Sequence, residues 1–301
     1  MANILCFFIE YFNAILVAME TLLKEKPQIV AAPRGIALRT FGRQHGPITR
    51  LVSPSDIGEA IKPFVFLDRG EVRYTGKPLF GIHPHSGIAT LTVVLDGAMA
   101  YEDTTGKKGE IAAGGLEWMK AGGGVWHDGG ALAGDPLRVF QLWVALSADE
   151  ELAPAESHYI ARERVQQDGP VRVVLGEYGR ARSAIPRAPA INYFHVRLKD
   201  GERWNYTPPA THDVAWLAVD KGALRAPERI QSGELVVFEQ SAAAIELQAD
   251  GDTSFVFGCA PKHPHPLVLG YYSVHTSAQA LEKGELNIRE LGKQLRAEGR
   301  L

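Results

Sequence analysis

Short runs of β-branched and apolar residues recur along the chain from about residue 36, and glycine-containing turns separate them. Residues 90–95 (TLTVVL) and residues 137–146 (LRVFQLWVAL) are two such runs. Strands of this length and spacing predict an all-β fold. The 301 residues include 31 Gly and 18 Pro. The combined share of these two residue types exceeds the roughly 12% of average proteins and fits a chain with many turns. The pair Asp96-Gly97 after residues 90–95 predicts a β-hairpin there.

The pattern divides most of the chain into two β-rich halves. Residues 31–146 predict an N-terminal β domain, and residues 171–276 predict a second one of similar size. Residues 147–170 between them are polar and charged, which predicts a linker. Residues 277–301 carry apolar residues at helical spacing and predict two short terminal helices. A length of 301 residues fits two domains, since a domain usually has about 100–200 residues.

Residues 1–30 form a separate segment that contains an apolar run at residues 4–19. The run includes Glu10 and Asn13 and is shorter than the roughly 20 residues of a transmembrane helix. No Lys or Arg precedes it and no clear cleavage site follows, which argues against a signal peptide. Translation from Met19, a docked or loose helix, and a membrane anchor all stay open. We expect the segment to lie outside the folded core and do not expect membrane association.

Charge and motif content exclude several functional classes. The net charge of −3 and the pI of about 6.4 argue against direct nucleic-acid binding, which needs a basic surface. The two cysteines, Cys6 and Cys259, form no CxxC motif and cannot build a disulfide framework or a thiolate zinc site. This cysteine usage favours a reducing, cytoplasmic location. A phosphate-binding loop, a dinucleotide-binding fingerprint and the GxSxG motif of serine hydrolases are absent from the sequence.

Three histidines form the strongest functional signal. His83 and His85 are two residues apart, so on a strand both side chains point to the same face. His127 follows after a predicted hairpin and a glycine-rich segment. Two histidines from one strand and a third from a neighbouring strand can hold a metal ion, and neutral imidazole suits iron, copper, zinc and nickel. The spacing therefore predicts a metal site.

The segments around these histidines resemble the signature of the pirin family. The resemblance rests on GIHPHSG at residues 81–87, VLDG at 94–97, EWMKAGGGVWH at 117–127, QLWV at 141–144, PFVFLD at 63–68 and PLVLGYYSVHT at 266–276. The resemblance covers roughly residues 34–290. It extends to bacterial pirin homologues of the quercetin 2,3-dioxygenase type. It implies a bicupin: two tandem cupin barrels of the double-stranded β-helix or jelly-roll type, with a metal in the N-terminal barrel only.

The resemblance also implies the metal and its ligands. One iron ion is expected, held by the two histidines of the HxH motif, a third histidine and a glutamate two residues later. On this sequence these positions are His83, His85, His127 and Gly129, so the fourth ligand is missing. We therefore expect a three-histidine site that retains iron weakly. Asp128 is a less favoured substitute, because in a regular strand its side chain faces away from that of His127 and only a bulge would turn it inward.

Two further polar residues are candidates for the pocket around the metal. Gln141 points either into the barrel or out of it, and Glu117 lines the pocket or belongs to the packing and surface. A second His-Pro-His sequence occurs at residues 263–265, but prolines on both sides disfavour a regular strand. We predict a loop there and no second metal site.

Three functions remain open. The first, which the resemblance implies for some pirins, is a regulatory or redox-responsive protein that binds a protein partner. The alternative is a quercetin 2,3-dioxygenase-type enzyme that acts on a flavonol or another small aromatic substrate. Whether the chain is an enzyme stays open, because position 129 lacks the carboxylate that could accept a proton. The third is a metal-free pirin. A monomer is expected for such a bicupin.

Overall fold

Strands dominate the computed structural model, which describes residues 32–76, 81–134, 136–186 and 189–301. The predicted apolar segment at residues 1–30 lies outside the described residues.

The elements of the first half are β1 (Ile36–Thr40), β2 (Arg43–His45), β3 (Ile48–Val52), helix α1 (Ile57–Ile61), β4 (Phe64–Val72), β5 (His83–His85), β6 (Ile88–Asp96), β7 (Ala98–Asp103), β8 (Lys108–Ala112), β9 (Leu116–Lys120), β10 (Val125–Ala131), β11 (Leu137–Ala145) and β12 (Glu156–Ile160). A 3-10 turn (Arg162–Arg164) follows, and then β13 (Gln167–Asp168), β14 (Val171–Leu175), β15 (Glu177–Tyr178), β16 (Ala181–Arg182), β17 (Asn192–Leu198), β18 (Arg203–Tyr206), β19 (Val214–Ala226), β20 (Glu228–Gln231), β21 (Leu235–Phe238), β22 (Ile245–Ala260), β23 (Val268–Gly270), β24 (Ser273–His275) and helix α2 (Ala278–Ala297).

Two antiparallel sheets build most of the first half. One has seven strands in the order β12-β9-β6-β11-β4-β3-β2, and the other has four in the order β5-β10-β7-β8. Val94 and Leu137 of the larger sheet share an apolar cluster with Met99 and Ile111 of the smaller one, so the two sheets pack face to face. The all-β prediction is confirmed.

The second half is built on one nine-stranded sheet. Its main path runs β1-β21-β19-β22-β17-β14-β13, with β18 on β22 and β20 on β19. Strand β1 comes from the start of the chain, so part of the predicted N-terminal domain completes the sheet of the second half. Arg39 on β1 secures this crossing, since its guanidinium contacts Glu234 at 2.7 Å and Glu228 at 2.5 Å. The domain boundaries themselves stay a prediction.

The predicted hairpin at Asp96-Gly97 is wrong, although the turn is present. Gly97 adopts a φ of +72°, which favours glycine, but the strands on its two sides belong to different sheets. Strand β6 is buried at every position except the last and pairs with β9 and β11 on its two sides. Because both of its edges are taken, β7 crosses to the four-stranded sheet.

The segment at residues 147–170, predicted as a linker, contains structure of its own. Strand β12 pairs with β9 at the edge of the seven-stranded sheet. Met119 and Tyr159 illustrate the pairing, since they lie opposite Ser157 and Glu117 respectively. Strand β12 is an edge strand in which buried residues are interspersed with partly exposed ones, which fits the polar composition of the segment.

One continuous helix, α2, ends the chain, so the prediction of two short helices is wrong. Its buried residues recur every three or four positions and are Ala280, Gly284, Ile288, Gly292 and Leu295. A Cβ on Gly284 would lie 2.5 Å from Nε2 of His275, so glycine here allows close packing and does not end the helix. Among the described residues, neither helix combines the length and the apolar character that crossing a bilayer requires.

The two halves share a core and a buried ion cluster. Phe64 of β4 packs edge-on against Trp216 of β19, with ring centroids 5.4 Å apart. Asp220, also on β19, is buried, and its carboxylate contacts two arginines of the first half. Arg138 Nη2 lies 2.6 Å from Oδ2, and Arg69 Nη2 lies 3.4 Å from Oδ1. This cluster ties the second sheet to strands β4 and β11.

We predict that Asp220→Ala lowers the free energy of unfolding by about 3 kcal/mol, because Arg69 and Arg138 lose a buried counter-charge and only Arg138 keeps another, the exposed Asp96. Asp250→Ala is the matched control, since Asp250 also contacts two arginines, Arg225 and Arg229, but on the surface. Exposed pairs of this kind contribute at most about 1 kcal/mol. Denaturant titration measures both variants, and equal losses would contradict the prediction.

Candidate metal site

Strands β5 and β10 bring the three predicted histidines together. The strands pair antiparallel, and the register places His127 opposite His83 and Val125 opposite His85. One ring nitrogen from each histidine lies within 4.8 Å of those of the other two. The spacing argument from the sequence therefore holds for all three side chains, which together could hold a metal ion.

Backbone carbonyls fix which nitrogen of two rings faces the cluster. His83 Nδ1 donates to the carbonyl of Gly81 at 2.8 Å, and His85 Nδ1 donates to that of Tyr272 at 3.0 Å. A carbonyl only accepts, so Nδ1 carries the hydrogen and Nε2 keeps its lone pair. This is the usual arrangement for a metal-ligating histidine.

The Nε2 atoms of two rings lie close together, and that of the third is buried. His83 Nε2 and His127 Nε2 are 3.0 Å apart. His85 Nε2 is buried and has no hydrogen-bond partner among the described residues. A buried acceptor without a partner is costly, and a cation at this point would satisfy it. The donor set therefore fits a transition-metal ion.

The protonation state of the rings suits ligation. Burial, followed by the neighbouring His127, lowers the pKa of His83 to about 4. The same two causes, with His83 as a third, lower the pKa of His85 well below its usual value. Both imidazoles are thus neutral at physiological pH, and a neutral imidazole is the form that binds a metal.

A small space beside the histidines, here called the inner cavity, has a volume of about 70 Å³. His83 and His127 line it together with the polar residues Asp68, Thr92, Glu117 and Gln141 and the apolar residues Ile48, Val72, Met99, Leu137 and Val139. Gln141 and Glu117, the two polar candidates from the sequence, therefore both face the space next to the histidines.

Glu117 lies directly behind His127. Its side chain is only 2% exposed, and its Oε1 is 3.5 Å from His127 Nδ1. The other oxygen, Oε2, accepts a hydrogen bond of 2.6 Å from the hydroxyl of Thr92, the residue opposite Glu117 on strand β6. The carboxylate is thus held on the side of His127 away from the other two histidines.

Gly129 lies on the same side of β10 as His127 and lines the inner cavity. A Cβ at this position would meet only the end of the Met99 side chain at 3.1 Å and the Ala100 carbonyl oxygen at 3.6 Å. Met99 is flexible, so a larger residue at position 129 can be accommodated. The backbone thus leaves room for a side chain that glycine does not supply.

Asp128 points away from the histidines. The pairing of β10 with β7 runs from His127 to Ala131 without a bulge, so the inward turn that Asp128 would need does not occur. Its side chain instead lines a separate, open groove of about 1120 Å³, here called the outer groove. Within the described residues, the only cluster with metal-ligating geometry is that of the three histidines.

Comparisons with known proteins identify the family. The Pirin family model matches residues 47–144. A pirin-like protein of Caulobacter vibrioides is 33% identical over 193 residues, which cover 59% of this chain and 67% of that protein. The chain belongs to the pirin family. A putative quercetin 2,3-dioxygenase of Pseudomonas aeruginosa is 26% identical over 246 residues, which cover 75% of this chain and 84% of that protein.

Solved structures of other proteins share the fold. A quercetin 2,3-dioxygenase from Acinetobacter baumannii superposes with a TM-score of 0.78 at 23% identity, covering 87% of this chain and 98% of its own. The bacterial pirin YhhW from Escherichia coli, solved in complex with nickel(II), gives a TM-score of 0.60 at 22% identity. The superposition covers 76% of this chain and 96% of YhhW. The expected cupin fold of a pirin is therefore confirmed.

Tyr272 is a residue of the site that the sequence did not single out. Besides its carbonyl contact with His85, its ring lies 5.5 Å from that of His83 between centroids. It adopts a φ of +55°, which is uncommon for a residue other than glycine. The only sequence signal was its place in the segment at residues 266–276 that resembles other pirins.

The second His-Pro-His sequence forms no metal site among the described residues. His263 and His265 lie in an irregular segment before β23, with ring centroids 5.5 Å apart. Neither belongs to the cluster of potential ligands. The loop prediction fits this placement.

Competition from protons at His83 and His85 should weaken metal binding little down to about pH 5. Protons compete with a metal for His83 and His85 only when the pH approaches the lowered pKa values of these rings, about 4 for His83. Ordinary histidines would instead lose affinity as the pH falls through about 6.5. Equilibrium titration with nickel(II) at several pH values, corrected for buffer binding, distinguishes the two. A tenfold loss between pH 7 and pH 6 would contradict the prediction.

Proposed function

We propose that this pirin binds one metal ion, iron, through His83, His85 and His127, with no fourth ligand from the protein. The observation that carries the proposal is the cluster of three ring nitrogens within 4.8 Å of one another, beside a buried His85 Nε2 that has no partner among the described residues. Iron comes from the family resemblance, since imidazole also suits copper, zinc and nickel. The residues present fit such an ion. When bound, iron would supply a one-electron redox couple.

Gly129 explains why the proposed site has only three protein ligands. Position 129 lines the inner cavity, so a carboxylate at this position of β10 would reach the histidines. Glycine has no side chain that could supply one. Three neutral imidazoles bring no negative charge of their own to offset that of the metal. We therefore propose that iron is held less firmly than it would be with glutamate at position 129.

We further propose that the protein serves a regulatory or redox-responsive role by binding a protein partner. The size of the inner cavity supports this over turnover of an organic substrate. Its 70 Å³ compare with about 300–1,000 Å³ for typical small-molecule pockets. A volume of that size accommodates about two waters, each of which occupies about 30 Å³ in the liquid.

Metal content is the first test. Freshly purified protein should contain close to one iron per chain, and His83→Ala should lose it because one of three ligands is gone. Gly129→Glu should retain iron more firmly under competition with a chelator, since the added carboxylate offsets charge and can ligate. Elemental analysis measures all three proteins. Iron found only in Gly129→Glu would contradict the proposal and indicate that this chain is a metal-free pirin.

A quercetin 2,3-dioxygenase-type activity is the second candidate, and the outer groove favours it. The groove of about 1120 Å³ is large enough for a flavonol and shares Gly129, Gly130, Val72 and Ala131 with the inner cavity. Relatives with 26% and 34% identity are named as putative quercetin 2,3-dioxygenases. Glycine at both positions 129 and 130 makes the wall between the two spaces thin.

The two candidates differ in oxygen consumption. If the regulatory role is right, iron-loaded protein should consume no oxygen above the His83→Ala background when quercetin is added. Gly129→Glu provides the comparison, because it restores a carboxylate that could accept the proton of the substrate. Oxygen uptake by the parent protein, dependent on both quercetin and His83, would establish the enzymatic alternative.

A further inference from the structure

Each of the three imidazoles has an oxygen on the side facing away from the cluster, but the three oxygens differ. His83 and His85 contact the carbonyls of Gly81 and Tyr272, which are uncharged. His127 instead faces Oε1 of Glu117. One carboxylate therefore contacts a histidine of the cluster after all, from behind the ring and not beside the metal position. Asp68, the other carboxylate that lines the inner cavity, is paired with Arg50.

The burial of Glu117 favours a positive charge nearby. Its side chain is 2% exposed, and its Oε1 lies 3.5 Å from Nδ1 of His127, which is itself buried. Burying a carboxylate without a counter-charge is costly. Thr92 holds Oε2 with a neutral hydroxyl and does not remove this cost. A cation on the far side of the His127 ring would lower the cost of burying this carboxylate.

We propose that Glu117 is the positioning residue of this metal site: it orients His127 through Nδ1 and supplies the negative charge that Gly129 does not. The inference rests on the proposed three-histidine metal site. It assigns to Glu117 an effect on metal affinity exerted through His127 and without direct contact with the ion. Carboxylates in this position fix the ring of a ligating histidine and increase its basicity.

Asp128 provides a matched control. It is the neighbour of His127 in the sequence and carries the same charge, but its side chain lines the outer groove on the opposite side of β10. If only the total charge near the site mattered, Asp128→Asn and Glu117→Gln would weaken metal binding alike. If the position of the carboxylate behind His127 matters, only Glu117→Gln will weaken metal binding.

Cobalt(II) affinity tests the proposal, measured by competition with a chromophoric chelator. Glu117→Gln should weaken cobalt binding about 10- to 100-fold, the range found when such partners are lost, and Asp128→Asn by less than about threefold. The visible absorption bands of bound cobalt should change in Glu117→Gln, because the His127 ring is held less firmly. Thr92→Val should weaken binding in the same direction but less, since it frees the carboxylate without removing it.

Unfolding of the metal-free protein separates positioning from a structural role. Glutamine keeps the size of Glu117 and a polar contact with Thr92, so metal-free Glu117→Gln should be at least as stable as the parent. A loss of stability that matches the loss of affinity would overturn the inference, and so would equal effects of Glu117→Gln and Asp128→Asn. Cobalt binding that His83→Ala leaves unchanged would overturn the three-histidine site itself. A parent site that depends on His83 but not on Glu117 would overturn this inference alone.

Discussion

The hydrogen bond from His85 Nδ1 to the Tyr272 carbonyl joins two parts of the chain that are 187 residues apart. It fixes the nitrogen that His85 presents to the cluster, although His85 lies in the first half and Tyr272 near the C-terminus. The next residue, Ser86, reinforces this contact, since its hydroxyl lies 3.0 Å from Nε2 of His275. Nδ1 of His275 in turn lies 3.0 Å from the buried carboxylate of Glu151. The geometry of the candidate site therefore depends on the C-terminal hairpin being in place.

Local pattern predicted the strands well but not their partners. Residues 90–95 lie within β6, and all but the last residue of the run at 137–146 form β11. The errors concern tertiary contacts: the sheet that β7 joins after Asp96-Gly97, and the close packing that lets α2 continue through Gly284. The insertion of β1 beside β21 is a tertiary contact of the same kind, which the local pattern does not reveal. A period of two residues shows that a segment is a strand, whereas its neighbours depend on which edges the rest of the chain has left free.

The same division applies to the candidate site. The two-residue spacing of His83 and His85 placed both on one face, and the pairing of β5 with β10 added His127 as expected. The sequence left the direction of Glu117 open, because that direction depends on its pairing with Thr92, 25 residues earlier. Backbone groups such as the Tyr272 carbonyl leave no trace in residue types. Ligands are thus easier to predict than the groups that orient them.

A carboxylate behind an imidazole is not equivalent to a carboxylate on the metal. Both offset positive charge, but only the second occupies a coordination position. With glycine at position 129 and Glu117 behind His127, the proposed site combines charge compensation with open positions on the side of the inner cavity. Because that cavity measures about 70 Å³, only molecules about the size of one or two waters fit beside the histidines. A larger ligand would have to lie in the outer groove and reach the site past Gly129, where the absence of a side chain leaves the shortest path.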